Sequence, residues 1–105
     1  MRDVATLTAA EFAGALGSAF EVLDPDGRVM LSLTLVQVVP GPERPGQRQP
    51  FSLYWTGLAA PILPSFTHHL THPGLGDMEI FLGPVATDGP GLTYEAVFDE
   101  IPIPR

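Results

Sequence analysis

Lysine and cysteine are absent from this sequence, and charged residues of any kind are few. Without cysteine the chain has no disulfide, no thiolate metal ligand and no thiol nucleophile. Charged residues make up 16% of the chain, below the roughly 25% of an average soluble domain. A surface with so little charge is typical of a protein whose surface is partly covered by a partner.

Positive charge is limited to arginine. The five arginines are Arg2, Arg28, Arg44, Arg48 and Arg105, and the net charge is −7. No cation lies between residues 49 and 104, whereas six carboxylates do: Asp77, Glu79, Asp88, Glu95, Asp99 and Glu100. Nucleic-acid backbones and anionic membranes both attract cationic protein surfaces. The charge pattern therefore predicts neither nucleic-acid binding nor membrane binding.

Long apolar runs are missing too. No run approaches the roughly 18 residues of a membrane span, and the N-terminal MRDVATLTAAEF lacks the apolar core of a signal peptide. The sequence therefore predicts the cytoplasm, or an extracellular assembly exported by a route other than Sec. Hydrophobic residues still make up 45% of the chain, which is enough for a modest core, and we expect residues 1–105 to form one domain.

Residues 1–17 form the predicted helical region. Thr8 has the position of an N-cap, and Glu11 three residues later completes a capping box. Alanines follow, and Gly17 is expected to end the helix in the left-handed conformation. The apolar edge of this helix is narrow, which predicts a lid over one end of a sheet or barrel.

Alternation of apolar and polar residues predicts six strands. Their expected bounds are 18–23, 29–39, 51–56, 66–72, 76–82 and 92–98. Turns rich in glycine and proline separate them, and the last three read as a meander. The predicted fold class is all-β: a small six-stranded antiparallel barrel or sandwich with one short N-terminal helix. Closure would remove exposed sheet edges from a chain with few charged residues to protect them.

Irregularities are expected in two strands. The apolar run at Val36, Val38 and Val39 breaks the alternation, which predicts a β-bulge or burial on both faces. The pair Gly83-Pro84 is expected to kink the chain and end the fifth strand.

Exposed chain is predicted at 40–50 and at 101–105. The first is a loop rich in proline and glycine that carries Arg44 and Arg48, and the second is an extended tail. A polar loop of this length is either functional or slack between strands. If it is functional, Arg44 and Arg48 are its candidate interaction residues, facing the acidic C-terminal half of another copy.

The segment GLAAPILP at 57–64 is apolar, yet its prolines bar it from a central strand. We expect it to be buried as a crossover that closes one end of the barrel, with an exposed partner contact as the alternative. The IPIP of the tail has the same character. The candidate contact residues of these two segments are Leu58, Ile62, Leu63, Ile101 and Ile103.

The histidines His68, His69 and His72 form an HHxxH pattern. On a helix the outer two could share a zinc ion. On a strand, side chains four residues apart are about 13 Å from each other, which is too far. Asp77 or Glu79 across the following turn is the remaining route to a metal site. The sequence therefore predicts no metal and no cofactor, and polar strand residues of which one is half-buried by hydrogen bonding.

Catalytic chemistry finds little support. Asp77 and Glu79 make a carboxylate pair like that of a glycosidase, but alternating acids are typical of the solvated face of a strand. No serine lies in a G-x-S-x-G elbow, and no phosphate-binding glycine loop is present. The sequence predicts no catalytic residue and no enzyme.

Aromatic residues are numerous enough to line a cavity for a small ligand. They are Phe51, Tyr54, Trp55, Phe66, Phe81, Tyr94 and Phe98. In a barrel as short as this, we expect them to fill the interior instead.

Five segments carry a resemblance to a known family. In chain order they are LTAAEF (7–12), PFSL (50–53), PILP (61–64), THPGLGDMEIFLGPV (71–85) and YEAVF (94–98). The chain resembles a family of small bacterial proteins of unknown function whose members read LTxxxF, PFSL, PLLP, HPxLGxxExFLxPV and YEAVF. It departs from that pattern at 67–70, where Thr-His-His-Leu replaces a segment that tends to carry tyrosine and glutamate.

The resemblance also implies a setting. Genes of that family often lie beside genes for fibre proteins with a phage-tail-collar domain, which implies an accessory or assembly role in a phage-tail-like or filamentous structure. The predicted function is a non-catalytic structural protein that contacts other proteins, among them tail-collar fibre proteins and copies of itself. A small-ligand-binding β-barrel is the alternative.

Overall fold

The structure is a computed structural model that describes residues 4, 7–43, 45–46, 49–58, 61–88 and 91–98. Its elements are α1 (Ala9–Ala13), β1 (Ala19–Leu23), β2 (Val29–Pro40), β3 (Phe51–Leu58), β4 (Phe66–His72), β5 (Gly76–Asp88) and β6 (Gly91–Phe98). No helix among these residues has the length and apolar character needed to cross a membrane.

The strands close into one antiparallel barrel in the order β1-β2-β3-β6-β5-β4, with β4 pairing back onto β1. The chain makes two three-stranded meanders, β1–β3 and β4–β6, and the β3–β6 and β1–β4 pairs join them. The predicted all-β class, with six strands and one short helix, is confirmed, and the barrel replaces the sandwich.

Every second residue of the strands points into the barrel, as the period of two requires. The buried strand residues are Phe20, Val22, Leu33, Leu35, Phe51, Leu53, Trp55, Leu70, Met78, Ile80, Leu82, Leu92, Tyr94 and Ala96. No charged side chain of the described residues is buried. The interior is therefore an apolar core.

Helix α1 closes one end of this core. Thr8 Oγ1 accepts the Glu11 N–H (3.2 Å) and Glu11 Oε1 accepts the Thr8 N–H (3.1 Å), so the predicted capping box is present. Phe12 is fully buried and packs against Phe51 and Phe98, each with its ring centroid 5.8 Å away. The helix is the predicted lid.

The helix ends earlier than predicted. It stops at Ala13 with Gly14 as its C-cap and does not continue to Gly17. Gly17 does have a positive φ of 81°, but its N–H donates to the Leu35 carbonyl of β2 at 2.7 Å. Gly17 therefore belongs to the connection into the sheet. The helix ends at Gly14 because glycine is a poor helix former.

The predicted bulge in β2 is confirmed. Pairing of β2 with β3 shifts register between Leu35 and Gln37, so Val36 is the additional residue. Val36 is consequently exposed, while the residues beyond it resume the alternation.

The predicted end of β5 at Gly83-Pro84 is wrong. The strand continues to Asp88, and a register shift against β6 falls between Pro84 and Ala86. Proline has no N–H to donate to a sheet, but a bulge leaves one residue outside the regular hydrogen-bonding pattern. The additional residue here is Val85, so the pairing is irregular directly after Pro84 and the strand continues beyond it.

The aromatic residues divide between the two sides of the barrel wall. Trp55 and Tyr94 are inside, as expected. The expectation is wrong for Tyr54, Phe66 and Phe81, which are not part of the core. Tyr54 lies between two buried neighbours in β3 and Phe81 between two in β5, so both are turned outward by the alternation.

Candidate interaction surface

His72 is the half-buried histidine, and it joins three elements. Its Nδ1 accepts the N–H groups of Gly74 (3.0 Å) and Leu75 (3.2 Å). Its Nε2 lies 2.8 Å from Ser18 Oγ, and the ring packs against Phe20 in a tilted arrangement with centroids 4.6 Å apart. His72 therefore ties the β4–β5 turn to the start of β1.

The Ser18–His72 pair has the composition of a nucleophile and its base, but its hydrogen bonds run in the opposite direction. A histidine that takes a proton from serine must have a free lone pair on Nε2. Here Nδ1 accepts two N–H bonds, so Nε2 carries the proton and donates it to Ser18 Oγ. Ser18 in turn donates to the Ala15 carbonyl. The arrangement stabilises the fold and does not activate the serine.

The other two histidines lie near the surface and have separate partners. His68 Nε2 lies 2.8 Å from the Pro64 carbonyl, and His69 Nε2 lies 3.3 Å from Asp77 Oδ2. The Thr71 hydroxyl donates to Asp77 at 2.6 Å, and together with His69 it lowers the pKa of that carboxyl. Among the described residues no group of three or more His, Asp or Glu side chains is placed to hold a metal ion.

A cleft of about 520 Å³ lies beside these histidines, at the end of the barrel opposite α1. The β1–β2 turn forms one side of it, where Asp24 Oδ1 accepts the N–H groups of Asp26 and Arg28. His68, His69 and Phe66 form the other side. The cleft combines carboxylates with imidazoles that already have partners, and it assembles no catalytic group.

The apolar segment 57–64 is partly buried and partly exposed. Leu63 is 2% exposed, and its N–H donates to the buried Tyr94 hydroxyl at 3.0 Å. Leu58 and Ile62 are 74% and 61% exposed. Leu63 is buried as expected and closes the barrel, so it is not accessible to a partner. The expected burial is wrong for Leu58 and Ile62, which are exposed.

Among the described residues, one buried side-chain polar atom has no hydrogen-bond partner. Trp55 Nε1 is buried, and within the described chain no acceptor lies within hydrogen-bond distance of it. The Trp55 ring packs edge-on against Phe20 with centroids 5.6 Å apart. If the barrel binds a small ligand, this N–H is the free donor available to it.

Four predicted contact residues lie outside the described residues: Arg44, Arg48, Ile101 and Ile103. Their roles stay predictions.

A second apolar surface, not predicted from the sequence, crosses the barrel wall. We call it the outer band, and it consists of Val39, Phe81, Val85 and Val97. Val39 pairs with Ser52, and Ser52 pairs with Val97, so the band runs from β2 across β3 to β6. Phe81 and Val85 extend it onto β5.

The outer band is continuous because neighbouring clefts share a residue. Val39 and Val97 line a cleft of about 230 Å³. Val97, Phe81 and Val85 line the next, of about 220 Å³. Phe81 is 63% exposed and Val97 is 61% exposed. Apolar side chains that cluster at this exposure mark a contact surface more often than isolated ones do.

One ionisable pair lies at the middle of the band. Tyr54 of β3 and Glu95 of β6 are direct cross-strand partners, and the Tyr54 hydroxyl donates to Glu95 Oε2 at 2.6 Å. This bond to a carboxylate raises the pKa of Tyr54. Glu95 also lines the 220 Å³ cleft beside Val97.

A signal for the outer band is present in the sequence. Phe81 and Val97 occupy strand positions that the alternation assigns to solvent, since their neighbours Ile80 and Ala96 face the core. The signal is an apolar residue at a strand position that the alternation assigns to solvent. Their convergence is not visible in the sequence, because it depends on β6 lying between β3 and β5.

Comparison with known proteins gives a family and no function. No curated protein and no solved structure matches the chain. Residues 7–98 match a family model described as "Domain of unknown function (DUF6916)". The match confirms the resemblance to a family of unknown function, and the link to tail-collar fibres stays a prediction. Because the model spans most of the sequence, the chain belongs to the DUF6916 family.

Proposed function

We propose that this protein is a non-catalytic interaction module that binds other polypeptides through the outer wall of its barrel. The observation that carries the proposal is the outer band, in which four exposed apolar side chains from three strands line two adjoining clefts. The low content of charged residues supports it, because such a surface loses little hydration when it is covered.

The exposed part of the 57–64 segment supplies a second contact surface. Leu58 ends β3, and Ile62 precedes the buried Leu63. The connection is anchored from inside through the Tyr94 hydroxyl, so its exposed side chains are presented from a fixed point. Fixed side chains lose less conformational freedom on binding than mobile ones.

The setting that we propose is a phage-tail-like or filamentous fibre, as implied by the family resemblance. A barrel that binds neighbours by its wall suits an accessory or assembly role there. Association between copies, with Arg44 and Arg48 facing the acidic half of a neighbour, is part of this proposal. That contact would be heterologous and could propagate into a ring or filament.

The test uses the purified protein and a fibre protein with a phage-tail-collar domain, the partner that the family resemblance implies. We expect a complex in size-exclusion chromatography with light scattering. Val97→Asp should abolish it, because a charge would be buried in the apolar contact. Val29→Asp is the matched control, since Val29 is also exposed but lies at the start of β2, away from the outer band.

Leu58→Asp tests the second surface in the same experiment. A protein that stays monomeric at every concentration and does not bind the fibre protein contradicts the proposed function. Equal binding by wild type and Val97→Asp contradicts the role of the outer band.

A further inference from the structure

In a regular barrel wall, Glu95 would face an outward side chain on the neighbouring strand β5. Its cross-strand neighbour in β5 is Gly83, which has none. Ser65 fills the place that a side chain at Gly83 would take, and both residues line the cleft with Glu95. The carboxylate lies at the cleft of about 220 Å³, and Phe81, Val85 and Val97 are the apolar walls of this recess.

Among the described residues, one of the two oxygens of this carboxylate has a hydrogen-bond partner. Oε2 accepts the Tyr54 hydroxyl, and Oε1 has no hydrogen bond or ion pair among the described residues. The sequence has no lysine or arginine between 49 and 104, so β3 to β6 contain no cation to neutralise it. An unpaired carboxylate oxygen at an apolar contact is costly to cover unless the partner supplies a donor.

We propose that the outer band binds a polypeptide segment in which a basic side chain lies between apolar ones, with the basic group on Glu95. This inference rests on the proposed function and specifies the partner's chemistry. The apolar neighbours of the basic residue cover Val97 on one side and Phe81 and Val85 on the other. Tyr54 holds the carboxylate in place by its 2.6 Å bond.

The length of the outer band indicates a polypeptide. Four neighbouring strands, β2, β3, β6 and β5, span about 14 Å, since strands are about 4.8 Å apart. An extended segment of about five residues has that length. A small amine would fill only the cleft at Glu95, of about 220 Å³, and leave Val39 uncovered.

A second copy of this chain is a poor occupant. Each copy carries a net charge of −7. Within the part of the chain that the structure describes, Arg28 is the one arginine, and it lies in a turn with Asp24 and Asp26. Such a turn is net negative and would meet Glu95 with like charge. The described surface of a second copy therefore offers Glu95 no suitable cation, and we assign the outer band to a different, basic polypeptide. A contact through Arg44 and Arg48 of a second copy is the outcome that light scattering distinguishes from it.

The test uses two blocked pentapeptides, acetyl-Val-Leu-Arg-Leu-Val-amide and the same peptide with citrulline in place of arginine. Citrulline keeps the shape of arginine and removes its charge. Affinity and binding site are measured by NMR on the full chain, from the shifts of the Val85 and Val97 methyl groups. We expect the arginine peptide to bind about tenfold more tightly, which corresponds to about 1.4 kcal/mol.

Glu95→Gln should remove that difference, because the amide has no charge to pair with. Glu21→Gln is the matched control: it removes the same charge from an exposed residue of β1, on the opposite side of the barrel. The preference for arginine should also weaken as salt rises, since the contact is partly exposed. Equal affinity of the two peptides, absence of shifts at Val85 and Val97, or unchanged preference in Glu95→Gln overturns the proposal.

Failure of this inference and failure of the proposed function give different results. If Val97→Asp abolishes the complex with the fibre protein and Glu95→Gln leaves it intact, the module binds proteins but does not recognise a basic side chain through Glu95. If light scattering shows that Val97 mediates contacts between copies, the occupant is a second copy and the inference is wrong. If Val97→Asp leaves every complex intact, the outer band is not the interface.

Discussion

At the scale of single residues, the Tyr94 hydroxyl fixes a connection between two strands. It accepts the Leu63 N–H inside the barrel and so anchors the connection between β3 and β4. We expect Tyr94→Phe to lower the free energy of unfolding by about 1 to 3 kcal/mol, because a buried N–H loses its acceptor. Urea denaturation measures the loss. Tyr54→Phe is the matched control at the surface, where water replaces the lost partner, and equal losses in both variants would contradict the expectation.

His72 gives the fold a dependence on pH. Burial lowers the pKa of His72 from its ordinary value of 6.5, so the folded state favours the neutral ring. Stabilisation by a group with a depressed pKa is complete above 6.5 and is lost as the pH falls through 6.5 towards the folded-state value. We expect the melting temperature to decline over that interval in the wild type.

Replacement of His72 identifies the source of that decline. His72→Gln is less stable at pH 8 but should lack the component that titrates below 6.5, whereas the control His68→Gln should keep it. Asp77 acts in a lower window, because its folded-state pKa lies below the ordinary 3.8. A wild-type melting temperature that stays constant from pH 8 to pH 5 would show that His72 does not act in this way.

At the scale of elements, the approach of β4 to β5 depends on Gly83. A Cβ there would lie 3.0 Å from Ser65 Cα and closer still to the Ser65 side chain. We expect Gly83→Ala to destabilise the barrel by about 1 to 3 kcal/mol through overpacking. Gly14→Ala should do the opposite, by about 0.4 to 1 kcal/mol, since Gly14 has a right-handed φ of −67° and a free site for a methyl group.

Thermal unfolding of the two glycine variants checks the signs. Stabilisation by Gly83→Ala would mean that Ser65 can move away freely and that the recess beside Glu95 is not fixed.

The strands could be predicted because each depends on short-range alternation. Leu31, Leu33 and Leu35 alternate with Ser32 and Thr34, and β2 forms there. The capping box at the start of α1 is equally local, and it was predicted correctly. The predicted end of β5 is wrong because it depends on the neighbouring strand. The sequence around Pro84 suggests a break, but β5 continues beyond it because it pairs with β6.

The candidate site was harder to predict for the same physical reason. The prolines of segment 57–64 mark Leu58 and Ile62 as candidate contact residues, but the expected burial of the segment is wrong for both, because both are exposed. The sequence assigned Leu63 to the same contact, but its burial depends on Tyr94, which lies 31 residues away. The outer band was missed because it joins residues of three strands, and single-strand patterns do not show strand order.

At the scale of the whole molecule, net charge opposes association through the exposed apolar side chains. The charge of −7 opposes contact between copies through the outer band near neutral pH, and this repulsion vanishes near the isoelectric point of about 4.6. We expect the weight-average mass in sedimentation velocity to rise as the pH approaches that value, and to rise less in Val97→Asp. Near-ultraviolet circular dichroism at each pH distinguishes association of the folded barrel from unfolding. A mass that does not change with pH would contradict the expectation.

The packing of Phe12 on Phe98 has a consequence for how the barrel can be built into larger chains. The helix that opens the fold and the strand that closes it meet at the same end, with ring centroids 5.8 Å apart. Polypeptide joined before α1 and polypeptide joined after β6 would therefore attach at the same end of the barrel. The domain can be inserted into a surface loop of a host protein without separating the ends of that loop. The wall with the outer band and the opposite end of the barrel would then face away from the host protein and be accessible to partners.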